Sequence, residues 1–129
     1  MPKRILLIDD DQDFVSMNRM ALEKAGYQVL TAYDGKEGLE KAIREKPDCI
    51  VLDVMMTEET EGFHTAKAIR EHETLSRTPI LMLTSIREAM DLPFKYEPDE
   101  QFLPVTEFVE KPLPPAELVA KVGKLTEKK

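Results

Sequence analysis

Three consecutive carboxylates, Asp9, Asp10 and Asp11, follow directly on the apolar run Ile5-Leu6-Leu7-Ile8. An apolar strand that breaks into acids creates a dense negative site at a sheet edge, and such a site attracts a cation. A second apolar run, Cys49-Ile50-Val51-Leu52, ends the same way at Asp53. A third, Ile80-Leu81-Met82-Leu83, ends in the hydroxyl pair Thr84-Ser85, and a short fourth, Glu107-Phe108-Val109-Glu110, delivers Lys111-Pro112. Parallel strands of an open α/β sheet share one carboxyl edge, where ligands bind. On that edge the carboxylates offer oxygen ligands to a hard cation, and the hydroxyl and ammonium offer donors to an anionic group.

The segments between these runs have the periodicity of helices, and alternation of strands with helices predicts a parallel sheet. Phe14, Met17, Ala21, Leu22 and Ala25 recur at helical spacing, and Gly26 is placed to stop that helix. Gln28 to Ala32 reads as a second strand, Asp34-Gly35 as a turn, and Leu39, Ala42 and Ile43 as one apolar helical face closed by Pro47. A third helix is expected over Phe63 to His72, with Ala66, Ala68 and Ile69 on its buried side and His64 and His72 facing solvent. The last helix begins at Pro114-Pro115, since proline suits a first helical turn, and runs through Leu118, Val119, Val122 and Leu125. Met17, Met20, Met55, Met56, Met82 and Met90 read mostly as gap fillers in or near the core.

The chain has 129 residues, of which 42% are hydrophobic and 33% charged, as expected for one globular domain over 1–129 with no room for an output domain. No apolar run approaches the roughly 20 residues that cross a bilayer, and Met1-Pro2-Lys3-Arg4 precedes too few apolar residues for a secretory signal. These features suggest a cytoplasmic protein without membrane insertion. A formal net charge of −7 argues against direct nucleic-acid binding. The single cysteine, Cys49, excludes an internal disulfide and a cysteine-based metal cage, and its strand context makes it a small core residue.

In chain order, the acidic pair Asp9-Asp10, then Asp53, Thr84 and Lys111-Pro112, resemble the receiver domain of two-component response regulators over almost the whole length. The resemblance implies an α/β, flavodoxin-like, doubly wound sheet of five parallel strands. It further implies that Asp53 is the phosphoacceptor and that Mg²⁺ is held by Asp9, Asp10, Asp53 and the backbone carbonyl of Met55. Thr84 and Lys111 would serve as donors to the phosphoryl oxygens, and Thr84 and Phe108 as the switch pair. For a carboxylate to attack a phosphoryl group, the repulsion between two anions must be offset, which is the role of the metal. Asp11 and Asp13 are better read as helix caps than as ligands.

The function implied is a stand-alone switch or phosphorelay intermediate. Its donor would be a histidine kinase or a histidine phosphotransfer protein, its downstream target an unidentified protein, and a homodimer is open to it. Such a chain catalyses only its own phosphorylation and dephosphorylation and is no enzyme in the ordinary sense. Two departures from the family stand out. Met55-Met56 is followed by Thr57 where receivers commonly have Met-Pro. Pro93, Pro98 and Pro104, with Asp91, Glu97, Asp99 and Glu100 among them, occupy the place of the family's fourth helix. Prolines at that density are incompatible with an ordinary helix, so that helix is expected to be missing, short or displaced.

The acidic stretch reads either as a docking element or as a drifted loop. The alternative function is accordingly a receiver-fold interaction module that works without phosphorylation. A phosphatase of the haloacid dehalogenase type also uses an aspartate after a strand, but the place of its second aspartate falls on Met55, which cannot donate a proton.

Overall fold

The computed structural model describes residues 2–53, 61–85, 107–111 and 114–127; at 61–64, 84, 85, 107, 108, 110, 111 and 127 the description concerns backbone alone. The described elements follow in the order β1 (Arg4–Ile8), α1 (Gln12–Lys24), β2 (Gln28–Ala32), α2 (Gly35–Glu45), β3 (Cys49–Asp53), α3 (Glu61–Glu71), β4 (Ile80–Ser85), β5 (Glu107–Lys111) and α4 (Pro115–Glu127). A 3₁₀ turn, Glu73–Leu75, follows α3. All strand pairings are parallel, and the sheet order is β2-β1-β3-β4-β5. This is the doubly wound α/β architecture expected from the sequence. The expectation about the family's fourth helix falls on residues 86–106, outside the described residues.

The three inner strands β1, β3 and β4 are apolar at their central positions because both faces of the sheet are covered there. Alternate residues serve opposite faces. Leu6, Ile8, Ile50, Leu52, Ile80 and Met82 pack with Ala42, Ala66 and Ile69 of α2 and α3. Ile5, Leu7, Cys49, Val51, Leu81 and Leu83 pack with Val15, Leu22, Leu118 and Val122 of α1 and α4. Each face buries a continuous apolar layer, at roughly 1.5–3 kcal/mol for each large side chain removed from water.

Helix α1 starts at Asp11, whose carboxylate accepts from the backbone N–H groups of Asp13 and Phe14 at 3.1 Å. It stops at Gly26, whose φ of 102° lies in the left-handed region. There Gly26 N–H donates to Glu23 O and Tyr27 N–H to Leu22 O, both at 3.0 Å, which satisfies carbonyls that the helix leaves over. The buried side of α1 differs from the expected stripe. Val15, Asn18 and Leu22 are buried and Phe14 partly so, whereas Met17 is 50% exposed and Met20 70% exposed. Neither methionine fills a gap; Asn18 occupies the central inward position and its Nδ2 donates to Phe14 O at 2.8 Å.

Asp34-Gly35, read as a turn, is instead the cap and first residue of α2, with Asp34 accepting from Glu37 N–H at 2.7 Å. The α2 helix packs unusually close to β1. A Cβ built on Gly38 would stand 2.5 Å from Ile8 Cδ1 and 2.9 Å from its Cγ1 and Cγ2. Helix α3 begins at Glu61 and ends at Glu71, so His72 lies beyond it. His72 caps the 3₁₀ turn, its Nδ1 standing 2.9 Å from Thr74 Oγ1. At the same end of the molecule, one guanidinium nitrogen of Arg70 donates to the carbonyls of Leu75, Ser76 and Thr78 at 3.3, 2.9 and 2.8 Å. That contact ties the connection from α3 to β4 back to the last turn of α3.

Two predictions follow from this packing. Gly38→Ala should lower stability by about 1–3 kcal/mol, the usual cost of overpacking, with part of the loss recovered by adding Ile8→Val; an unchanged urea midpoint for the single variant would contradict the close approach. Burial pushes the Cys49 thiol up to about 12, so a thiol reagent at pH 8 should label it only after unfolding. Rapid labelling of the native chain would show that the strand is open to solvent.

Candidate metal and phosphoryl site

The carboxyl ends of β1 and β3 are neighbours because the two strands pair, with Ile8 opposite Leu52. The residues that follow these two partners are Asp9 and Asp53. Asp53 is the last residue of β3 and 5% exposed; Asp9 is the first residue beyond β1 and 2% exposed. Asp10, next along the chain, is exposed. Carboxylate oxygens from Asp9, Asp10 and Asp53 all lie within 4.8 Å of one another. The three acids singled out in the sequence are therefore brought together.

The turn that presents them is fixed by the backbone. Asp9 N–H donates to Ala32 O at 3.1 Å, extending the β1–β2 pairing one residue past the strand. Asp11 N–H donates to Asp9 Oδ1 at 2.9 Å, which orients that carboxylate. Val15 N–H donates to Asp11 O at 3.0 Å and begins α1. Of the two cap candidates, Asp11 is the cap and Asp13 belongs to the first turn. The hydrogen bond from Asp11 N–H was not anticipated, although an Asp two residues before a backbone donor is the usual signal of such a turn.

Thr84 and Lys111 close the edge on the other side. Leu83 of β4 is opposite Asp53, so Thr84 stands one residue further toward the carboxyl edge, opposite Glu110 of β5. Lys111 ends β5 opposite Ser85, and Phe108 pairs with Met82 nearer the middle of the sheet. These are backbone placements: the strand ends bring the acids, the hydroxyl residue and the lysine to one edge. Met55, expected to lend its carbonyl, lies outside the described residues.

The donor set fits a magnesium ion. Mg²⁺ prefers oxygen ligands and is held by few carboxylates while it retains water; the group here is all oxygen, has two buried members and one open to solvent, and contains no sulfur or imidazole. Three carboxylates this close repel one another, and a divalent ion removes that repulsion.

Comparison with known proteins agrees with this geometry. Residues 5–123 match the family model described as response regulator receiver domain. The chain is 40% identical over 122 residues to the alkaline phosphatase synthesis transcriptional regulatory protein PhoP of Bacillus subtilis, covering 95% of this chain and 48% of that protein. It is 34% identical over 119 residues to the transcriptional regulatory protein CpxR of Escherichia coli K12, covering 92% of this chain and 47% of that protein. It thus spans about half the length of these curated relatives. Among solved structures, the chemotaxis response regulator CheY4 of Vibrio cholerae superposes with a TM-score of 0.78 at 31% identity, covering 97% of this chain and 99% of that one. A response regulator structure from Chloroflexus aurantiacus J-10-fl gives a TM-score of 0.82 at 29% identity, covering 99% of this chain and all of that one.

If the acidic group is a metal site, Mg²⁺ at about a hundred times its Kd should add about 2.7 kcal/mol of stability. Thermal unfolding with and without the ion measures this, and Asp10→Ala should lose most of the gain. A midpoint indifferent to Mg²⁺ in the parent chain would contradict the assignment.

Proposed function

Because the chain belongs to the response regulator receiver family, we propose that it accepts a phosphoryl group onto Asp53 from the phosphohistidine of a histidine kinase or histidine phosphotransfer protein. The modification then acts as a signalling switch or a relay step. The observation that carries this reading is the convergence of the Asp9, Asp10 and Asp53 carboxylates within 4.8 Å at the carboxyl edge of the sheet.

When bound, Mg²⁺ supplies a Lewis acid and a template for the phosphoryl oxygens. Asp9, Asp10 and Asp53 would hold it through their carboxylates and Met55 would lend its backbone carbonyl. A carboxylate oxygen of Asp53 attacks phosphorus in line with the imidazole nitrogen of the donor. The new P–O bond makes an acyl phosphate, the P–N bond breaks, and the departing nitrogen keeps the electron pair and takes a proton from solvent. Lys111 contributes a compact positive charge and Thr84 a hydroxyl donor to the phosphoryl oxygens, where charge is spread in the transition state. Thr84 and Phe108 form the switch pair. Phe108 has no hydroxyl, so its alternative positions differ by packing and desolvation alone.

The chain acts on its own Asp53, and its output is a changed surface read by another protein or a phosphoryl group passed onward. The partner in this proposal is met in the cytoplasm; among the described residues no helix is long and apolar enough to cross a membrane.

Acetyl phosphate with Mg²⁺ should give one hydroxylamine-labile phosphoryl adduct by intact mass, absent in Asp53→Ala and formed at least about tenfold more slowly in Lys111→Ala. An adduct that persists in Asp53→Ala would move the acceptor elsewhere. Lack of any adduct from small donors and from histidine kinases alike would favour an interaction module that works without phosphorylation.

A further inference from the structure

The third acid of the run, Asp11, is used twice in the turn that carries the metal ligands. Its backbone N–H holds Asp9 Oδ1 at 2.9 Å, and its side chain holds the N–H groups of Asp13 and Phe14 at 3.1 Å. The backbone at Asp11 is extended, with φ of −82° and ψ of 100°, as a cap requires. Side-chain capping therefore fixes the peptide whose N–H fixes the Asp9 carboxylate. Asp10 lies between the two anchored residues and is the exposed ligand.

We infer that Asp11 is a positioning residue for the cation site: its side chain, by capping α1, locks the Asp9–Asp11 turn and so sets the Asp9 and Asp10 carboxylates before the ion arrives. The inference rests on the functional reading above but assigns Asp11 a role distinct from that of a ligand. Its negative charge is directed to the N-terminus of α1, where the helix dipole and unsatisfied N–H groups favour an anion. A third consecutive acid would otherwise add repulsion to a crowded group. Used as a cap, it organises that group and contributes an oxygen acceptor, not a metal ligand.

Three substitutions separate these roles. Asp11→Asn and Asp11→Ser remove the charge and keep an oxygen that can cap; Asp11→Ala removes both. Asp34→Ala is the control, because Asp34 caps α2 by the same kind of bond, at 2.7 Å from Glu37 N, and is outside the acidic group. Mg²⁺ affinity by titration calorimetry at 0.15 M salt, with the thermal midpoint of the metal-free chain, gives two independent readouts. Asp11→Ala should weaken Mg²⁺ binding by about tenfold, at the lower end of what loss of a ligand-orienting contact produces, while Asp11→Asn and Asp11→Ser stay within about threefold of the parent. Asp34→Ala should lower the midpoint comparably to Asp11→Ala and leave Mg²⁺ affinity unchanged.

Equal Mg²⁺ affinity in the parent and Asp11→Ala would overturn the positioning role. So would an Asp11→Asn loss as large as that of Asp11→Ala, which would make the charge itself the active feature, and so would an equal loss in Asp34→Ala, which would reduce the effect to general stability. A parent chain that fails to bind Mg²⁺ overturns the functional reading and this inference with it.

Discussion

The mutual repulsion of the Asp9, Asp10 and Asp53 carboxylates, gathered within 4.8 Å with two of them buried, is the constraint around which the molecule is organised. Left to itself, such a group would spread apart. It stays gathered because the strands beneath it are pinned on both sides. Asp53 is part of β3, which pairs with β1 and β4, and the Asp9 backbone extends the ladder to Ala32. The rigid sheet contributes the proximity, and in the proposed function a bound divalent ion would offset the repulsion.

The remainder of the fold can be understood as support for that edge. Two apolar layers clamp the sheet, one with α2 and α3 and the other with α1 and α4. The close approach of Gly38 to Ile8 fixes α2 against the strand that ends at the acids. At the opposite end, Arg4 pairs with Glu45 at 2.5 Å and its N–H donates to Asp48 at 2.8 Å, tying the start of β1 to the connection between α2 and β3. The hydrogen bond with Arg4 holds the Glu45 carboxyl below the usual carboxylate range. The effect is confined to the surface and contributes little to stability.

Most of the sheet was legible because apolar strands ending in chemically distinct residues leave an unambiguous pattern. The expected Gln28–Ala32 strand was matched residue for residue, the runs at Ile5, Cys49 and Glu107 each extend by one end residue, and the run at Ile80 extends by two. The apolar face of α1 was misread because two stripes compete there. Of the expected stripe, Leu22 is buried and Phe14 packs partly against the core, but Met17 and Ala25 are exposed, and Val15 and Asn18 turn inward instead. A polar Asn at the centre disguises the true stripe. Gly35 looked like a turn residue because glycine often is, whereas Asp34 with Glu37 three residues later fits a helix start. The approach of Gly38 to Ile8 has no signature in one sequence, since it depends on how two distant segments pack. The acids of the site were legible by type and position, while the Asp11 N–H that orients Asp9 belongs to a turn whose Asp signal is masked by the neighbouring acids.

A direct measurement of the central claim replaces Mg²⁺ with substoichiometric Mn²⁺ and follows paramagnetic broadening of backbone amide signals. The account predicts loss of signal centred on Asp9, Asp10 and Asp53, reversed by excess Mg²⁺ and absent in Asp53→Asn paired with Asp10→Asn. Broadening that is spread over other acidic surfaces, or that excess Mg²⁺ does not reverse, would contradict it.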